Sequence, residues 1–189
     1  MKALFTERRA EISCSGFEFK TTAKVRMIRI IVDSSHTTHG DLYLKIDVLP
    51  TYSKKGDSYY LFDFLEINEE ELENGEIDNE RVLSYAALKL IDYWSGRIQN
   101  LRDGDKIFLP FDFQDEYIGG LLLTKSNLDF KIKVVYSDKI HSYEVNKSIF
   151  DQVLFERQIK FVDEENAEWN VSHSQLFEGL EWSRNELTE

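Results

Sequence analysis

Three acidic residues, Asp112, Asp115 and Glu116, fall within five positions of one another, with Arg102, Asp103, Asp105 and Lys106 a short way upstream. Paired carboxylates can divide acid and base roles or hold a divalent cation, so a metal-dependent hydrolase is one reading of this turn. In that reading His36, His39 or His141 would be brought close by folding. The bland reading is a turn, because aspartate bonds to nearby backbone amides there for its own reasons. The aromatics beside it, Phe108, Phe111, Phe113 and Tyr117, are then core side chains.

The other constellations are weaker. Asp33 to Asp41 holds His36 and His39 three residues apart, in a stretch that reads as a hairpin connection with no rigid element to fix both imidazoles. We expect no metal there. Cys14, the single cysteine, excludes an internal disulfide and any zinc site built on several thiolates. It lies in an expected strand without an activating cation, which argues against a nucleophile. His141 and His173 are isolated, and Ser95-Gly96 lies inside a helical pattern rather than at a strand-to-helix turn. No phosphate-binding glycine loop is present, so no cofactor is expected.

Charge is the more informative signal. The net charge is −12, and it is concentrated. Residues 63–80 carry nine acidic side chains and no basic one, and residues 163–189 carry eight against Arg184, so the rest of the chain is net positive. Such a field disfavours nucleic acid and anionic membrane surfaces, and it steers basic proteins inward. Glu69, Glu70, Glu71, Glu73, Glu76 and Asp78, together with Asp112, Asp115 and Glu116, are therefore the candidate partner-binding residues. The alternative is a solvated loop that keeps an acidic chain dispersed. The leading functional expectation is an immunity- or inhibitor-type module that neutralises a basic toxin or nuclease. A metal-dependent hydrolase using the 112–116 turn and a structural or assembly subunit are the alternatives.

The elements that position these residues follow from periodicity. Leu83, Ala87, Leu90, Ile91, Trp94, Ile98 and Leu101 step by three and four, which predicts one amphipathic helix from Asn79 to about Leu101, capped by Asp78 or Asn79. Before it, strands are expected at Glu11–Lys20, Val25–Val32, Leu42–Val48 and Tyr59–Leu65, with connections at Asp33–Asp41 and Pro50–Asp57 and an acidic loop from Asn68 to Glu80. After it, strands are expected at Lys106–Phe111, Tyr117–Thr124, Leu128–Tyr136, Ile140–Val145 and Phe155–Val162. A brief helix around Ile149–Leu154 capped by Asn146 and a short C-terminal helix opened by Ser172 and Gln175 complete the list. Gly96 is expected to allow close packing or to end its helix early, Gly119-Gly120 to mark a bulge or a sharp bend, and Gly179 with the polar tail beyond Trp182 to leave the last helix short or frayed.

Hairpin-like order without β-α alternation gives α+β with antiparallel sheet segments, about four strands before and four to five after one long central helix. At 189 residues, with 42% hydrophobic side chains and no linker composition, residues 1–189 read as a single domain. The opening residues lack a signal-peptide core and no apolar run approaches a bilayer span, so a cytoplasmic location is expected.

Overall fold

The structure is a computed structural model describing residues 27–33, 41–48, 50–74, 77–78 and 81–189. The fold is α+β, with two antiparallel sheets packed on a long helix. Strands β1 (Ile28–Val32), β2 (Leu42–Ile46) and β3 (Tyr52–Gly56) form the first sheet, in that order. Helices α1 (Leu61–Leu65), α2 (Glu69–Asn74) and α3 (Val82–Gln99) follow. Strands β4 (Lys106–Phe113), β5 (Ile118–Ser126), β6 (Asp129–Ser137) and β7 (Val162–Ser172) form an antiparallel meander. A 3-10 turn (Ser142–Glu144) and helix α4 (Phe150–Glu156) lie between β6 and β7, and α5 (His173–Thr188) closes the described chain.

The helical stripe forms as its spacing requires. Ala87, Leu90, Ile91, Trp94 and Ile98 are buried, joined by Ala86. The Trp94 indole N–H donates to the Pro110 carbonyl at 3.0 Å, so burying its polar edge on β4 costs no unmade bond. The start is described only from Arg81, which flanks the helix without a side-chain cap of its own; Asn79, one of the two expected caps, lies outside the described residues. Gly96 neither packs closely nor ends it, since it is exposed and α3 runs on to Gln99.

Four other expectations fail, three on short apolar runs and one on a polar connection. Tyr59–Leu65 is not a strand; Leu61, Phe64 and Leu65 are spaced as a helix face and are buried as one. The strand is instead Tyr52–Gly56, inside the expected polar connection, where pairing with β2 overrides a polar sequence. Ile140–Val145 is a 3-10 turn, not a strand. Phe155–Val162 is the end of α4 and a turn in which Gln158 takes φ 48°, with β7 beginning at Val162. The acidic stretch is not all loop either. Asn68 accepts the Glu71 N–H at 2.8 Å and caps α2, whose first turn holds Glu69, Glu70 and Glu71 at the positive end of the helix dipole. The expected strand Glu11–Lys20 and Cys14 lie outside the described residues.

The C-terminal helix is long, not frayed. The Ser172–Gln175 capping box forms, and α5 runs sixteen residues through Gly179. At Gly179 a side chain would meet the Ile28 carbonyl at 2.1 Å. Ser183 Oγ accepts the Ile30 N–H at 2.9 Å and donates to the Gly179 carbonyl at 2.8 Å. Thus α5 lies against the β1 backbone and satisfies an amide that β2 does not use.

Two contacts tie the sheets together. At the end of β3, Asp57 donates its N–H to Asp112 Oδ1 at 2.8 Å and its carbonyl accepts the Phe113 N–H at 2.9 Å. Farther along, Glu164 of β7 accepts Tyr52 OH and Lys54 Nζ, each at 2.7 Å. Burial pushes the Glu164 carboxyl up, but the Lys54 and Tyr52 bonds outweigh that and hold it below the usual carboxylate range. Buried side chains from both sheets, α1, α3, α4 and α5 belong to one core cluster. No helix among the described residues is long and apolar enough to cross a membrane.

Candidate functional site

The carboxylates of the 112–116 turn separate on folding. Asp112 is buried, 1% exposed, at an irregularity in β4 where the register against β5 shifts between Pro110 and Asp112. Gly119-Gly120 lies opposite, and the bulge expected there is on the facing strand. At Gly120 a side chain would meet the Leu109 carbonyl at 2.1 Å, so only glycine lets the strands approach this closely. Asp112 Oδ1 accepts from Asp57 N–H and from Gln114 Nε2 (3.3 Å), and Oδ2 accepts from Tyr117 OH at 3.0 Å. Gln114 Nε2 also donates to Tyr117 OH at 2.7 Å. Burial, then the Asp112 charge and hydrogen bond, push the Tyr117 phenol above its ordinary range, so it stays a donor. Asp112 therefore holds three elements together and does not face solvent.

Asp115 and Glu116 are exposed at the tip. With Asp57, Tyr59 and Gln114 they line an open cleft of about 460 Å³, and among the described residues no basic side chain lines it. The Asp115 carboxylate beside Tyr60, helped by partial desolvation, raises the Tyr60 phenol to about 12. His141 Nδ1 lies 2.9 Å from the Asp115 carbonyl; since a carbonyl only accepts, that nitrogen carries the proton.

An aromatic run extends from the cleft over the surface. Tyr59 meets Tyr60 edge-on at 4.7 Å, Tyr60 lies 6.0 Å from Tyr143, and Tyr143 stacks on His141 at 5.3 Å. Tyr59 and Tyr143 are 54% and 57% exposed, unusual for side chains of this size. These tyrosines are absent from the sequence-level candidates. Tyr59-Tyr60 reads as the start of a strand, and Tyr143 as part of another, so neither pattern marks a surface. The available signal was an aromatic pair directly after the turn residues Gly56-Asp57-Ser58.

The acidic stretch is less uniform than its composition. Glu71 turns inward, accepting Lys89 Nζ at 2.7 Å and Tyr85 OH at 2.6 Å, and those bonds hold its carboxyl below the usual range. Glu69, Glu70, Glu73 and Asp78 are exposed, and Glu76 lies outside the described residues. The second acidic stretch is partly compensated, by lysines of both sheets and by an arginine of α5. Asp163 pairs with Lys133, Glu164 with Lys54, Glu168 with Lys131, and Glu181 lies beside Arg184. Exposed carboxylates without an ion-pair partner among the described residues remain on α2 (Glu69, Glu70, Glu73), on α5 (Glu178, Glu186) and at the 115–116 tip.

The histidines do not join the carboxylates. His36 and His39 lie outside the described residues, His141 contacts a backbone carbonyl, and His173 stacks between Phe130 and Phe177 at 5.9 and 4.5 Å. Among the described residues no three His, Cys, Asp or Glu side chains group closely enough to hold a metal ion. Compared with protein-family models, with curated proteins and with solved structures, the chain matches none.

Proposed function

We propose that this chain is a protein-binding module for a basic partner, and that the partner docks at the cleft between the end of β3 and the 115–116 tip. One observation carries the reading: the exposed carboxylates of Asp115 and Glu116 line the cleft beside a half-exposed tyrosine, and among the described residues neither carboxylate has an ion-pair partner. Interfaces concentrate binding energy in aromatic and arginine contacts, and a cleft with acceptors and an aromatic wall is one half of such a contact. The finer reading is an immunity or inhibitor protein that neutralises a basic toxin or nuclease. Asp112 acts behind the cleft, fixing Asp57 and Gln114 in place.

The exposed carboxylates of α2 belong to the same reading through one connecting segment. His141 bonds the Asp115 carbonyl, and six residues later Lys147 donates its N–H to Phe64 and its ammonium to Leu65 at 2.7 and 2.6 Å. Ser148 then reaches Glu66, just ahead of α2.

The test is affinity capture from the native host with the wild-type chain and with the Asp115→Asn/Glu116→Gln variant, both checked for unchanged circular dichroism. Captured proteins are identified, purified and rebound. The expected result is a basic protein whose rebinding weakens with salt and falls at least tenfold with the variant. A partner that is acidic, or one that binds both forms equally, overturns the assignment of the cleft.

A further inference from the structure

We infer that the last turn of α4 and the loop after it are where a second copy of this chain docks. In this isologous contact Phe155 packs on its counterpart, and Glu156 of each copy pairs with Lys160 of the other. The inference is independent of the basic-partner reading and uses none of the cleft residues.

The apolar part of the surface is built by the end of α4. Phe155 is 84% exposed, more than any other large hydrophobic side chain among the described residues. Its outward position has a local cause. Ile159 donates its N–H to the Leu154 carbonyl at 3.1 Å and Gln158 to the Phe155 carbonyl at 3.2 Å, with Gln158 at φ 48°. This is a Schellman cap, and its apolar pair, Leu154 and Ile159, packs towards the core while Phe150 is buried. With those side chains inside, the turn carries Phe155 outside. The cap fixes the backbone beneath the ring, and Arg97 holds the helix through both oxygens of Asp151 at 2.8 and 2.6 Å. A ring on such a rigid mount loses little entropy on docking and gains by leaving water.

Charge selects the occupant. Two copies of a chain carrying −12 repel each other, so they can meet only where the local charge is balanced. Residues 138–162 carry four acidic and four basic side chains. Within this set Asp138 is paired with Lys139, Glu144 with Arg157 and Asp151 with Arg97, and Lys147 bonds the Leu65 carbonyl. One carboxylate and one ammonium remain. Glu156 is exposed and bonds Gln152 at 2.8 Å, and Lys160 is exposed; neither has an ion-pair partner among the described residues. A two-fold axis at Phe155 places each of these charges against its opposite, because in an isologous contact residue i meets j and j meets i. A basic partner gains nothing from a balanced surface, whereas a second copy matches it. The surface is one helical turn and a loop, below the roughly 1,200 Å² of a standard interface, so the dimer is reversible and not permanent.

The experiment is sedimentation equilibrium of the full chain in physiological salt, over roughly 10 µM to 1 mM, the range of weak association. A monomer–dimer equilibrium is expected. Phe155→Glu, at an exposed position, should keep the melting point and weaken the dimer at least tenfold. Glu156→Lys and Lys160→Glu should each weaken it several-fold, by setting like charges against each other. Mixed in equal amounts, these two variants should associate again as a heterodimer, since each then meets the opposite charge. A wild type that stays monomeric throughout overturns the second-copy assignment and leaves the basic-partner reading untouched. A dimer indifferent to Phe155→Glu, or a mixture that associates no better than either variant alone, overturns it as well.

Discussion

Asp112 shows how one residue type can be right and its role wrong. Its spacing from Asp115 and Glu116 suggests a shared task, yet the backbone irregularity after Pro110 turns it inward while the next turn carries the others out. A carboxylate so placed is stable because each oxygen has a donor, from Asp57, Gln114 or Tyr117. Asp112→Ala would orphan the Asp57 amide and the Tyr117 hydroxyl together. The expected cost is roughly 2–4 kcal/mol, since each unsatisfied buried group loses its full solvation. Denaturant unfolding of the variant should show a lower midpoint with an unchanged slope. A midpoint equal to that of the wild type would mean that water replaces the carboxylate and that the cleft wall is not anchored here. Side-chain spacing made the acidic tip legible, whereas Tyr59 and Tyr143 were hidden because exposure of a large ring is set by tertiary packing and leaves no periodic trace.

The elements were legible where a pattern was long. Eighteen residues of α3 and the alternation of β2 and β6 leave only one way to bury their apolar side chains. Five-residue runs are ambiguous, because Leu61–Leu65 can bury a strand face or one helical turn and a half, and its neighbours decide. Polar Tyr52–Gly56 became a strand only because β2 offered an edge. The two helical glycines expose a further limit, since the same letter has opposite meanings at Gly96 and Gly179. Nothing stands within 4 Å of a side chain added at Gly96, so Gly96→Ala should stabilise by up to about 1 kcal/mol through helix propensity alone. At Gly179 the added carbon would collide with the Ile28 backbone, and a strand backbone cannot swing aside as a side-chain end can. Gly179→Ala should therefore cost about 1–3 kcal/mol, as overpacking does, and should loosen α5 from β1. Thermal melts of both variants, with hydrogen exchange at the Ile30 amide, decide it. If the two alanines move the melting point in the same direction, the close approach of α5 to β1 is wrong.

At the scale of the whole molecule, the question is how an uneven charge distribution divides its work between meeting a partner and holding it. The basic side chains of β3 and β6 neutralise part of the second acidic stretch, while Glu69, Glu70 and Glu73 of α2 and Glu116 at the tip have no ion-pair partner among the described residues. Under the binding reading these two regions do different things. Glu69, Glu70 and Glu73 project from a six-residue helix with no exposed aromatic side chain of its own, so their contribution is long-range attraction, active over a Debye length of about 8 Å in physiological salt. Asp115 and Glu116 line the cleft itself, and contacts there set how long a complex lasts. The Glu69→Gln/Glu70→Gln/Glu73→Gln variant should change its melting point little, because relief of like-charge repulsion offsets the lost attraction of Glu69 and Glu70 to the helix dipole and no packing is lost. Glu71 must be left alone in that design, since its bonds to Lys89 and Tyr85 hold α2 against α3 and are worth up to about 1 kcal/mol. With a purified basic partner, the triple variant should slow association several-fold and flatten its salt dependence, with dissociation unchanged. The Asp115→Asn/Glu116→Gln variant should instead speed dissociation. If the α2 variant alters dissociation as strongly as association, α2 is itself part of the contact surface. The partner would then span both regions, and the division between steering helix and gripping cleft would have to be given up.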